Sequence, residues 1–211
     1  MENKIYSKVF TWLFLGLLIT FLTGIYTSNN IDALSVIFVK GGYWVLVILE
    51  VVVAIYLSVR IHKMSPTAAK ICYLLYTFLT GLTFSSLFVV YKLTSLLAVF
   101  GITSVLFLIF AAIGRYTKID LSRLGIYLFM MLLGVIILSI VSVFVPALNL
   151  GVAILGIVVF LGYIAFDIQM IKRREGMLEE DNLAVYCAFQ LYIDFINIFV
   201  DLLRIFGDAN D

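Results

Sequence analysis

Charge is scarce in this chain. Of 211 residues only 13% are Asp, Glu, Lys or Arg, and the formal net charge of +1 excludes the strong global field that draws nucleic acid or acidic partners. Histidine occurs once, as His62 in a basic loop, and cysteine twice, as Cys72 and Cys187 inside apolar runs. Zinc sites built from His and Cys therefore lack their ligands, and the thiols read as small buried hydrophobes. The two prolines, Pro66 and Pro146, fall between apolar runs, where helix breakers belong. No G-x-x-x-x-G-K, G-x-G-x-x-G or H-E-x-x-H element occurs, so the nucleotide and zinc-protease signals are missing. What is present is apolar: 64% of residues are hydrophobic and 15% aromatic, far above a soluble domain. The chain reads as an integral membrane protein. A cleavable targeting segment is not expected, because the run after Lys4 and Lys8 continues to Tyr26 without a small-x-small site.

Seven apolar runs are long enough to cross a bilayer, at roughly 9–27, 43–59, 71–91, 95–113, 121–145, 150–171 and 183–206. They lack sustained two-residue alternation and exceed the length of a membrane strand. The expected fold is therefore all-α, a single domain made of a seven-transmembrane-helix bundle. Basic residues alternate between connections: Arg60, His62, Lys63 and Lys70 follow the second run, Arg115, Lys118 and Arg123 the fourth, and Lys172, Arg173 and Arg174 the sixth. The positive-inside rule places these loops and the N-terminus in the cytoplasm and the C-terminus on the opposite side. The connection Asn29–Gly42 reads as a loop whose apolar part, Ile31–Val39, lies on the membrane surface or caps the bundle. In the third run TGLTFSS has the small, hydroxyl-rich composition of close helix packing. Gly125, Gly134, Gly151, Gly156 and Gly162 invite the same reading.

The last run differs from the others. Gln190, Asp194, Asn197, Asp201 and Arg204 recur at i, i+4, i+7, i+11 and i+14, which at the helical pitch confines them to an arc of roughly 80°. An ionised carboxylate facing lipid costs several kcal/mol, so this polar seam should face the interior and the seventh helix should be central. Four acids lie within the runs: Glu50, Asp167, Asp194 and Asp201. Glu50 is near mid-bilayer, and it, Gln190, Asn197 and Asp201 are candidates to line an ion path. Asp167 lies ~7 Å below the cytoplasmic boundary and Asp194 ~16 Å. A tilt, or a solvated start of the last helix around Glu179, Glu180 and Asp181, would bring them level. Two carboxylates meeting in a low dielectric cannot both ionise readily, so they would hold a shared proton near neutrality. Arg60 can reach Asp167 as a latch, or it is an ordinary snorkelling residue. Oxygen ligands from these acids, Asp167 and Asp194 foremost, suit a hard cation such as Ca²⁺.

From Tyr163 onward the segments YIAFDIQMIKRREG and DNLAVYCAFQLYIDFINIFVDLLRIFG resemble the C-terminal signature of the Bax inhibitor family, the transmembrane Bax inhibitor motif proteins. A D-x-Q element and LYxDFINxF carry the likeness, with TGLTFSS and GRYTKIDLSRLGIYLFMMLLG in support. The resemblance implies a seventh helix wrapped by the other six and a pH-sensitive calcium leak of the bacterial plasma membrane, not an enzyme. It further implies that Asp167 and Asp194 form the gating pair, with Arg60 bonded to Asp167. Calcium ions and protons are then the partners within the lipid bilayer, Ca²⁺ is the permeating ion and no cofactor is needed. A monomer is compatible with this. Asp201 departs from the family pattern and either adds a cation site or pairs with Arg204 at i+3. Two other readings use the same carboxylates: a cation/proton exchanger, and an intramembrane aspartyl protease, whose Y-D and G-x-G-D elements are not both present, since the chain reads AFD and YID.

Overall fold

The computed structural model describes residues 2–210. Its elements are α1 (Glu2–Ser28), α2 (Ile31–Leu34), α3 (Gly42–Arg60), α4 (Pro66–Val90), α5 (Leu93–Tyr116), α6 (Leu124–Phe144), α7 (Asn149–Arg173) and α8 (Glu180–Phe206). All except α2 belong to segments long and apolar enough to cross a membrane, so each of the seven expected runs is a helix. The fold is that of a helix-bundle membrane protein.

The helix ends differ from the ends of the apolar runs, for local reasons. Helix α4 begins five residues before the run it contains, because the Ser65 side chain accepts the Ala68 N–H at 3.3 Å and Pro66 takes the first helical position, where no donor is needed. Helix α6 begins late, at Leu124, because the three residues before it are held in a turn: the Leu121 N–H donates to Gln169 Oε1 at 2.8 Å. The connection after α1, expected as a loop, is largely helical. Asn30 caps α2 by accepting the Ala33 N–H at 3.0 Å, and a π-helical turn, Ser35–Val39, follows. That turn buries Ile37 while Ile31 and Val39 stay exposed. Gly41, at φ +79°, then permits the reversal into α3 that a side chain would resist.

The chain gathers into two compact units. Of the described residues, the first holds those up to Lys92 with Arg174–Tyr192 and those from Ala209, and the second holds Leu93–Arg173 with Ile193–Asp208. In the first, α4 packs against α1 and α3. Gly81 lies close against α1: a Cβ there would fall 2.6 Å from the Thr23 Cβ, so the TGLTFSS stretch is packing surface. Tyr73, Tyr76, Phe189 and Tyr192 form an edge-to-face aromatic core. In the second unit α7 packs against α5 and α6, with the Gly114 backbone lying directly on that of Ala165, and Phe195 stacks among Phe100 and Phe107.

Burial is distributed unevenly. In the most apolar window of α8 67% of residues are buried, against 6% in α6. Helix α6 shows Ile126, Phe129, Met130, Ile137 and Ile140 to its surroundings, which lipid accepts and water would not.

Candidate functional site

The second unit holds the carboxylates. On α7 the residues Ala153, Gly156, Phe160, Ile164, Asp167 and Ile171 recur at three- and four-residue spacing, and all are buried. Periodicity alone therefore carries Asp167 inside with its apolar neighbours. On α8 the stripe Leu191, Asp194, Ile198, Asp201 does the same. Asp167 is 3% exposed and Asp194 4%, and the two carboxyl groups are close enough for the charge of Asp167 to bear on Asp194. Tyr163, one helical turn before Asp167, stands in the field of both acids. Asp194 Oδ2 is buried with no hydrogen-bond partner among the described residues. Two acids so placed can hold one proton between them, and losing it leaves two negative charges in an apolar setting.

The other seam residues go elsewhere. Asp201 lies against α7 over Gly156, where a Cβ would collide with Asp201 Oδ2, and Arg204 Nη1 stands 3.3 Å from Asp201 Oδ1. Of the two readings open for Asp201, pairing at i+3 is the one observed. Asn197 donates its amide to the Ile193 carbonyl at 2.8 Å, within its own helix. Among the described residues no three His, Cys, Asp or Glu side chains gather as metal ligands, so Asp167, Asp194 and Asp201 do not form one cation cage.

Three candidates belong to the first unit. Glu50, half-buried on α3, lies against Thr83, with Tyr76 and Tyr192 within its field, and its Oε1 is buried without a partner among the described residues. Gln190 Oε1 accepts from the Arg174 guanidinium, which also lies 5.4 Å over the Tyr186 ring. Arg60 stands exposed at the end of α3. The structure thus sets Asp194 within the field of Asp167, seats Asp201 with Arg204 and ties Gln190 to Arg174.

Sequence reasoning passed over Tyr163 and Gln169. Tyr163 was signalled by its spacing, four residues before Asp167 on one helix face. Gln169, the third letter of the D-x-Q element, accepts from the Leu121 N–H and donates to the Ile119 carbonyl, both at 2.8 Å. It therefore pins the α5–α6 connection to α7 two residues from the buried acid.

The model of the family described as Inhibitor of apoptosis-promoting Bax1 matches residues 2–211. An uncharacterized protein of Borreliella burgdorferi is 37% identical, aligned over all of this chain and 94% of its own length. The inner membrane protein YbhL of Escherichia coli is 36% identical over 96% of this chain and 90% of its own. An uncharacterized membrane protein of Streptococcus pyogenes is 35% identical over 78% and 74%. Matched by the family model over residues 2–211 and by relatives along nearly their whole length, the chain belongs to the Bax inhibitor family.

Proposed function

We propose that the protein is a pH-sensitive leak for calcium ions, gated by the Asp167–Asp194 pair. One observation carries the reading: two buried carboxyl groups, on α7 and α8, act on each other inside a membrane protein. With one proton shared the two helices are held together. Removing that proton places a second charge where each ion costs on the order of several kcal/mol to bury, and separating the helices to admit water and cations relieves it. Arg60, exposed at the end of α3, keeps the role of latch that the family resemblance implies, with a charge that does not titrate in the physiological range. Glu50 offers a further carboxylate to a passing divalent cation, and Ca²⁺ favours such oxygen ligands. A relative named as an inner membrane protein supports placement in a bacterial inner membrane, with the N-terminus and the three basic loops on the cytoplasmic side.

The test is calcium flux into indicator-loaded liposomes across a pH series. Wild type should leak in a pH-dependent manner, and Asp167→Asn or Asp194→Asn should flatten that dependence; an unaltered pH response in both variants removes the gate. An imposed proton gradient separates the exchanger, which would drive Ca²⁺ uphill, from a leak, which cannot.

A further inference from the structure

We infer that Asp201 and Arg204 form a second control point on the same path, a latch that the permeating cation can open. The inference rests on the calcium-leak reading and concerns how that path is regulated. Asp201 follows Asp194 by seven residues on one buried stripe of α8, two turns or ~10 Å further along the axis. A side chain at position 156 would collide with its carboxylate, so α7 leaves at Gly156 the space that Asp201 fills. Its partner is placed differently: the Asp201 side chain is 12% exposed and that of Arg204 57%. A buried acid is thus covered by a half-solvated cation at the last turn of α8.

This asymmetry sets what the pair can do. An exposed guanidinium holds its carboxylate weakly, because water competes for it. It also keeps its charge at every physiological pH, so the arginine itself is not what a change of pH would switch. A divalent cation can displace it, by offering the carboxylate a stronger oxygen-coordinated contact. While Arg204 is seated, a positive charge stands beside the seam and opposes entry of another cation. Once it is displaced, Asp201 becomes a ligand on the path.

The full-length protein in liposomes, assayed for calcium flux at one fixed pH, tests this. Arg204→Gln should raise the flux by up to about fivefold, the shift that loss of an exposed pair allows, with the pH dependence retained. Asp201→Asn should lower the flux, and Arg204→Gln added to it should have no further effect, which a merely structural pair would not produce. Should the Gln variant fail to fold, Arg204→Lys keeps the charge without the fork: flux above wild type supports the latch, and flux equal to wild type overturns it. A leaking wild type matched by an equally leaking Arg204→Gln overturns this inference alone. A wild type with no flux at all overturns the leak reading, and this with it.

Discussion

Both units tie buried hydroxyls to backbone, but among the described residues only the second buries a pair of acids within each other's field. In the first the buried polar groups are mostly neutral and tied to backbone: Thr20 donates to the Thr77 carbonyl at 2.9 Å, which leaves the Tyr192 hydroxyl to donate to Thr20 Oγ1 at 2.6 Å. Tyr73 donates to the Trp12 carbonyl at 2.9 Å, and Asn182 donates to the Met64 carbonyl at 2.8 Å. In the second unit two buried acids, Asp167 and Asp194, lie within each other's field. A satisfied hydroxyl contributes about 1 kcal/mol and fixes a helix, whereas opposed carboxyls change sign from holding to repelling with a single proton. The first arrangement reads as mortar, and the second is the one on which the proposed switch rests.

The sharpest way to break this contrast is to neutralise one acid. Asp194→Asn should abolish the pH dependence of flux while the protein stays folded, because an amide can still hydrogen-bond to Asp167 and carries no charge. Tyr192→Phe, of nearly equal volume but in the first unit, should leave the pH dependence intact. A pH response that survives in the first variant and fails in the second would invert the assignment.

Packing gives the next largest effect. A Cβ at Gly114 would collide with the Ala165 carbonyl oxygen, whereas nothing lies within 4 Å of one at Gly134. Gly114→Ala should therefore destabilise by about 3 kcal/mol, since backbone cannot move aside cheaply. Gly134→Ala should be neutral or stabilising by up to about 1 kcal/mol. Thermal melts in detergent distinguish them. Tyr192→Phe comes third in the same assay, with a loss of about 1 kcal/mol for the hydroxyl that Thr20 no longer receives.

The seven spans were legible because bilayer thickness imposes a minimum length on every apolar run. Their ends were not, because caps and ion pairs set them. Helix α8 begins at Glu180, before the apolar run, where Lys8 meets Asp181 at 2.8 Å and Lys70 meets it at 2.6 Å. That charged first turn makes the apolar boundary a poor zero for depth. Measured from it, Asp167 and Asp194 are offset, yet the charge of Asp167 bears on Asp194. Glycine was legible only as a type: Gly125, Gly156 and Gly162 are close contacts, but Gly134 and Gly151 have open space where packing was expected. A small residue against lipid and one against a helix look alike in sequence. The helical stretch after α1 was missed because a four-residue helix and a π turn are too short to show a period.

The smallest effect concerns an acid outside the membrane. Asp120, in the α5–α6 connection, accepts the Ser122 N–H at 2.8 Å and meets Arg173 at 2.7 Å. The Ser122 bonds, with Arg173 adding to them, hold its pKa at about 2, below the usual 3.8. A folded value below the unfolded one means that its contribution to stability is complete above the unfolded value and is lost as pH falls through about 2. Over about pH 5 to 8, where a physiological switch works, Asp120 keeps its charge and adds nothing that varies. Asp120→Asn should therefore leave the midpoint and steepness of the flux profile unchanged, even though the residue lies in the connection that Gln169 pins to α7. A midpoint displaced in this variant would mean that the response is set at the surface connection, and the buried pair would lose its claim to be the sensor.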